Sequence, residues 1–385
     1  MKIVVLGTGL VGAPMAIDLA KEPRFSVTAA DISEIPLKDL AEHYPIKTLI
    51  QDLSDPAQVT RLVRDFDMVV NAVPGFMGFR TLKAIIEAGK NVVDIAFFIE
   101  DPFELDYLAR KNKVTAIMDI GVAPGMCNVL IGYADHLLDE TENVVYYVGG
   151  LPEIREWPWE YKAVFSPVDV IEEYTRPARF VENGRLVVRP ALSDPELIDF
   201  PGIGTLEAFN TDGLRSLVRT IKAPFMKEKT LRYPGHIAKI AVLRETGFFG
   251  TGPIHIGGND IRPIDMTAKL LFPKWKLNKG EADITVMKVQ VEGKKKGKKT
   301  CYTWDLLDRY DPVSGIHSMA RTTGYTATVA LRMIAEGIYG EKGITVPEYL
   351  GRKQECVEFL LNGLKERGIF YRETVTCPED QKSSM

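Results

Sequence analysis

The first eighteen residues constrain the fold of this chain more than any other stretch. Lys2 to Leu6 form a short apolar run that leads directly into Gly7-Thr8-Gly9-Leu10-Val11-Gly12, and a helical pattern starts on the last glycine. Each glycine has its own task in such a loop. Gly7 permits a tight turn, Gly9 lets backbone approach a pyrophosphate, and Gly12 lets helix and strand pack closely. The free N–H groups at the helix start then face the phosphates, with the helix dipole behind them. Glycine patterns of this kind also occur in plain packing turns. Here the preceding strand, the apolar helix face of Ala16, Leu19 and Ala20, and a second strand, Phe25-SVTAAD, all agree with a dinucleotide site.

That second strand ends in Asp31, which lies 31 − 12 = 19 residues beyond Gly12, close to the spacing of about 20 for a ribose-binding carboxylate. A carboxylate accepts hydrogen bonds from the adenosine ribose hydroxyls and repels a 2′-phosphate. No Arg follows in Ile32-Ser33-Glu34-Ile35 to hold such a phosphate. NAD is therefore expected as the cofactor, rather than NADP.

With 385 residues the chain can form two domains of ordinary size. Its net charge of −4 comes from mixed signs, so neither a nucleic-acid nor a membrane partner is implied. The one basic run, Gly293-KKKGKK, sits between the alternating stretches Ile284-TVMKVQV and Thr300-CYTW, which predicts the solvated turn of a β-hairpin. Cys127, Cys301, Cys356 and Cys377 stand far apart, so reduced thiols are expected and no metal site. The glycine-broken start does not suit a signal peptide, and no apolar run is long enough for a bilayer. A soluble, cytoplasmic protein is the expectation.

Strand and helix alternate over the first 120 residues, with six strand-like runs ending at Val114-TAIMDI. This predicts an α/β fold, a doubly wound parallel (Rossmann) sheet with its ligand along the strand carboxyl ends. Besides the loop and Asp31 with Ile32, the residues expected there are Asp52, Ala72, Val73, Pro74, Asp94 and Gly121. From Pro124 a helix is expected to carry the chain into an inserted α+β substrate domain, strand-rich at Asn143-VVYYVGGLP, 179–190 and the 284–304 hairpin. Helices interrupt it near Leu214-RSLVRTI and His236-IAKIAVLRETG. The expected division is 1–123 for the nucleotide domain, 124–318 for the substrate domain, 319–376 for returning helices, and a disordered tail at 377–385.

Six segments, in their order and spacing, resemble the saccharopine reductases and lysine 6-dehydrogenases: Gly121-VAPG, Gly149-GLP, Pro158-WEYKAVFSP, Ala208-FNTDGLRSL, Glu228-KTLRYPGH and Met319-ARTTGYTATVA. The resemblance implies an NAD(P)-dependent oxidoreductase that moves hydride between the nicotinamide and a C–N bond at the end of a lysine side chain. Saccharopine reductases carry Asp in their G-x-D-P-G motif, where this chain has Ala123. An Ala cannot accept a hydrogen bond from a substrate ammonium. That places the chain closer to the lysine 6-dehydrogenases. Phe76-MGF and Ile95-AFF depart from both patterns, and Phe97 is expected to line the reaction pocket.

Oxidising an amine requires proton removal, a placed hydride acceptor and, for an amino-acid substrate, a cation on the carboxylate. The resemblance implies Arg232 for that cation, with Arg215 as the runner-up; from the residues alone Arg232 fits equally a structural Arg paired with Glu228 or another acid. Tyr174, His236 and Asp94 are the candidates for handling protons. An unperturbed imidazole titrates at about 6.5, which suits His236 to relay work, while a capping or core histidine at the start of the following helix is the commoner role for such a residue. The leading expectation is an NAD-dependent amine dehydrogenase acting on the ε-amino group of L-lysine or a related small amine. The alternatives are a saccharopine-type or carboxyalkyl-polyamine reductase and a non-catalytic NAD(H) sensor. A homodimer is expected because symmetric dimers are the commonest oligomers.

Overall fold

A computed structural model describes residues 1–164, 167–278 and 280–377. The expected tail beyond Cys377 lies outside the described residues. The chain divides into two units, one of Met1–Leu137 with Met319–Phe370 and one of Leu138–Ser318 with the chain from Tyr371 on.

In the first unit six strands follow in chain order: β1 (Lys2–Leu6), β2 (Ser26–Asp31), β3 (Lys47–Ile50), β4 (Met68–Asn71), β5 (Asn91–Asp94) and β6 (Thr115–Ile117). Together with Gly343–Thr345 they form one parallel sheet, in which β1 lies between β2 and β4 and the added strand pairs with β6. The apolar runs Ile3–Leu6 and Met68–Val70 are wholly buried, as strands covered on both faces must be. Helix Pro56–Val63 begins where Asp55 accepts a hydrogen bond from the Ala57 N–H, a cap signalled by the Asp-Pro pair.

The C-terminal helices return to this unit through a buried acid. Asp18, on the nucleotide-loop helix Gly12–Ala20, accepts from Arg332 Nη1 at 2.7 Å, Arg367 Nε at 2.9 Å and Thr328 Oγ1 at 2.6 Å. Helix Met126–Leu137 also belongs here, although the sequence places it beyond the boundary at residue 123. The reason is close packing, since a Cβ on Gly132 would lie 2.2 Å from the Glu348 carbonyl oxygen.

The second unit is built on a nine-stranded sheet. Its first strands are β7 (Glu140–Pro152), β8 (Ala178–Glu182), β9 (Arg185–Arg189), β10 (Glu196–Phe200), β11 (Gly204–Asn210) and β12 (Phe225–Arg232). β12 runs parallel to β7, and β7 pairs antiparallel with the long hairpin Asp283–Lys295/Lys298–Arg309. That hairpin turns at Lys296-Gly297, both at positive φ, in the basic segment expected to form its turn. Helices Pro167–Thr175, His236–Glu245 and Pro263–Trp275 contribute to an aromatic-rich core that includes Tyr161, Tyr174, Phe209 and Trp275.

Two local expectations are corrected. Around Leu214 only Leu217–Thr220 is helical, because Arg215 takes a left-handed φ of +52°. After helix Gln354–Glu366 the chain continues as strand Tyr371–Thr376, which adds to the second sheet. No helix among the described residues is long and apolar enough to cross a membrane.

Candidate functional site

The glycine loop has the shape a diphosphate needs. Gly7 has φ +93°, and a Cβ there would lie 2.6 Å from the Ala72 carbonyl oxygen. A Cβ on Gly12 would lie 2.0 Å from the Gly7 oxygen, so only glycine allows this approach of helix to turn. Gly9 is different, because a Cβ on it would meet no protein atom within 4 Å. The space beside Gly9 is thus open for a ligand, at the start of a helix whose first turn no side chain caps. Leu10 is half-exposed in this loop, and Val11 occupies the cap position.

Asp31 holds the loop. Its Oδ2 accepts from the Thr8 N–H at 2.6 Å and from Thr8 Oγ1 at 3.0 Å, while Oδ1 accepts from the Ser33 N–H at 2.8 Å. Ile32 is exposed beside it, and Ile50, its register partner on β3, is exposed too. Asp52 lies exposed just after β3 and caps the Ser54 N–H at 2.8 Å. That hydrogen bonding holds its carboxyl below the usual range.

Ala72, Val73 and Pro74 follow β4, with the Ala72 N–H bonded to Leu6 O at 2.9 Å and Pro74 opening the next helix. Asp94, at the end of β5, is fully buried and accepts from Asn71 Nδ2 at 2.6 Å and the Ala96 N–H at 2.7 Å. It therefore ties β4 to β5 rather than standing free as an acid. Phe97 is half-buried, and its carbonyl oxygen would lie 2.4 Å from a Cβ on Gly75. Phe76 is exposed. The Gly121 N–H donates to Pro124 O at 3.0 Å, closing the turn that holds Ala123.

In the second unit three of the expected residues come together. Arg232 is only 2 % exposed, and it donates from Nε to the Tyr174 hydroxyl (3.1 Å), from Nη1 to Leu231 O (2.9 Å) and from Nη2 to Glu173 Oε2 (2.7 Å). Its guanidinium carbon lies 4.5 Å from the Tyr161 ring centre and 5.8 Å from that of Tyr174. His236 Nδ1 is 2.9 Å from Trp159 O, which can only accept, so Nδ1 carries the proton. Nε2 must then accept from the Tyr174 hydroxyl at 2.9 Å. Hydrogen bonds thus run in one direction, from Arg232 through Tyr174 to His236.

In this arrangement His236 is a core histidine hydrogen-bonded through both ring nitrogens. Burial, helped by the Arg232 charge, pushes its pKa down to about 3, which keeps the ring neutral and its Nε2 an acceptor for the Tyr174 hydroxyl. Burial likewise pushes Tyr174 up to about 12, despite the guanidinium. Arg215 is buried but does not lie on a helix face.

Two acids of the cluster were not singled out from the sequence. Glu173 reads as an exposed helix carboxylate between Glu172 and Tyr174, yet it pairs with Arg232. Glu228 reads as a partner for Arg232, yet it bonds to Thr211 Oγ1 at 2.5 Å and the Gly213 N–H at 3.1 Å. Among the described residues no group of three or more His, Cys, Asp or Glu could hold a metal ion.

Comparison with known proteins agrees with this layout. A family model described as the saccharopine dehydrogenase NADP binding domain matches residues 3–117, and one described as the saccharopine dehydrogenase C-terminal domain matches residues 121–369. The mitochondrial alpha-aminoadipic semialdehyde synthase of Bos taurus is 24% identical over 96% of this chain and 47% of its own length. This chain therefore spans about half of that relative. The NADP(+), L-glutamate-forming saccharopine dehydrogenase of Schizosaccharomyces pombe is 23% identical over 98% of this chain and 99% of its own. Apo saccharopine dehydrogenase (L-Glu forming) from Saccharomyces cerevisiae has a TM-score of 0.80 at 19% identity, covering 98% of this chain and 100% of that one, a likeness of fold. The chain belongs to the saccharopine dehydrogenase family and carries a pyridine-nucleotide-binding domain at its amino end.

Proposed function

We propose that this protein is an NAD-dependent oxidoreductase acting on a C–N bond, and that it oxidises the ε-amino group of L-lysine. The substrate ammonium, NAD and water would give the ε-aldehyde, ammonium, NADH and one proton. The observation that carries this reading is Asp31, which ends β2 at the spacing of a ribose-binding acid and clasps the glycine loop through Thr8, with no Arg in the following residues to hold a 2′-phosphate. Ala123 supports it from the substrate side, because a group that would hold a larger amino-acid product is missing there.

The chemistry supplied by a bound nicotinamide ring is hydride acceptance. The chain's own residues bind and orient. The Thr8–Asp31 clasp and the open face at Gly9 would hold the diphosphate and the adenosine ribose. Arg232 would take the substrate carboxylate in place of Glu173, since a guanidinium fork recognises either carboxylate equally well. Tyr174, fixed between Arg232 and His236, would keep that fork oriented.

The test is absorbance of NADH on mixing the protein with NAD and L-lysine alone. Steady NADH formation is expected, with much slower turnover of NADP. A second reading follows the Schizosaccharomyces pombe relative, a saccharopine dehydrogenase that is NADP(+)-dependent and L-glutamate-forming. It requires cofactor oxidation only when an amino acid and an aldehyde are supplied together. No NADH from lysine, combined with NADPH consumption in that paired assay, would replace the first reading by the second.

A further inference from the structure

Tyr161 has so far served only through its ring. That ring packs 4.5 Å from the Arg232 guanidinium carbon, 5.1 Å from the His236 ring centre and 5.5 Å, edge to face, from that of Trp275. Its hydroxyl is sealed from water and makes no hydrogen bond among the described residues. The Arg232 guanidinium and the Glu173 carboxylate are both near enough to act on that hydroxyl. The guanidinium nonetheless lies across the ring and directs its bonds to Tyr174, Leu231 O and Glu173. In the same aromatic core Trp275 Nε1, which can only donate, is also buried without a partner. A buried donor left unmade costs free energy, so two of them in one core call for an explanation.

The nearby acceptors already serve other donors. Trp159 O takes the His236 Nδ1 proton, His236 Nε2 takes that of Tyr174, and Leu231 O and Glu173 Oε2 take those of Arg232. What the cluster lacks is an acceptor, and it lacks one beside a buried cation. The way in is through Glu173. Arg232, Tyr161, Tyr174 and His236 are sealed, whereas Glu173 keeps 23% side-chain exposure and can turn out to water, which frees Arg232 Nη2. We propose that Tyr161 is a ligand-binding residue, whose hydroxyl donates to the carboxylate that replaces Glu173 on Arg232. Glu173 is tied to helix Pro167–Thr175 and reaches Nη2 without meeting this hydroxyl. A free carboxylate has two oxygens and can meet both donors at once. The hydroxyl thereby selects ligands that carry a carboxylate over plain amines. Burial pushes it well above its ordinary range, which keeps it protonated and a donor. The inference rests on the reading that Arg232 takes a substrate carboxylate, and not on the oxidation of that substrate.

The test is Tyr161→Phe in the full-length protein, which keeps the ring and removes only the hydroxyl. Without ligand the urea midpoint should hold or rise, because a buried donor with no partner is gone. L-Lysine binding with NADH present, read by calorimetry, should weaken about tenfold, the loss of one hydrogen bond to a charged group. The matching diamine, which has no carboxylate, should bind both proteins equally. In the wild type, a near-ultraviolet difference spectrum on adding L-lysine should carry a tyrosine band that Y161F lacks. L-Glutamate is the second carboxylate probe. Unchanged affinity for both amino acids in Y161F would overturn the inference, and so would a wild type that binds neither. A lowered midpoint with equal losses on lysine and the diamine would overturn it too, by making the hydroxyl structural. L-Lysine that binds, weakens in Y161F and yet yields no NADH would uphold the inference while refuting the oxidation.

Discussion

Gly9→Ala is expected to leave the fold intact and to weaken NADH binding about a hundredfold or more. An added Cβ at Gly9 meets no protein atom within 4 Å, and Gly9 is not among the positive-φ glycines, so neither clash nor backbone strain opposes the change. The stability change should stay within about 1 kcal/mol, with a gain possible from a stiffer unfolded chain. The same Cβ would fill the open face where a diphosphate approaches backbone. Losing two charge-assisted hydrogen bonds there, at about 1.5 kcal/mol each, corresponds to roughly a hundredfold in affinity. Gly12→Ala makes the contrast. Its Cβ would sit 2.0 Å from the Gly7 oxygen, a backbone atom, so folding and binding should fall together. Titration calorimetry and urea denaturation on both variants separate the two cases. Full NADH affinity in a folded Gly9→Ala protein would show that the diphosphate lies elsewhere.

Arg232→Met should cost about 3 kcal/mol of stability, at the lower end of the range for breaking a buried ion pair. The lower end applies because Glu173 keeps 23% side-chain exposure and can be rehydrated, whereas Tyr174 is sealed and loses a donor. In urea the midpoint should fall while the slope stays constant, since the surface exposed on unfolding hardly changes. Turnover supplies a second readout. If Arg232 holds the substrate carboxylate, the variant should raise KM for L-lysine about a hundredfold and leave the matching diamine, which has no carboxylate, little affected. Arg232→Lys should rescue only part of this, because an ammonium cannot reproduce the fork that spans Tyr174 and Glu173. Equal losses on lysine and the diamine would make Arg232 a structural residue.

The nucleotide loop was legible in the sequence because its physics is local. Gly7, Gly9 and Gly12 act over six positions, and Asp31 follows at a spacing set by one helix and one strand. The parallel sheet was legible for the same reason, except for Gly343–Thr345, which is too short to carry a periodic signal. Tyr371–Thr376 escaped notice as a mostly exposed edge strand, with no apolar face to mark it. In the second unit Arg232 stood out only through the resemblance to a family. Its partner Glu173 could not be read, since a carboxylate in a Glu-rich helix looks the same in sequence whether it meets water or a guanidinium. Glu228 was hidden similarly, because its partners Thr211 and Gly213 come from a different strand end. Arg215 was misread as helical because the left-handed turn at that position has no Gly or Asn to announce it.

For the proposed chemistry to run, the amino-terminal loop and Asp31 must hold NAD(H). Calorimetric titration of the full-length protein with NADH and, separately, NADPH tests it most directly. Binding of NADH at least about tenfold tighter than NADPH is expected, from repulsion between the Asp31 carboxylate and the 2′-phosphate. Equal or tighter binding of NADPH would contradict it.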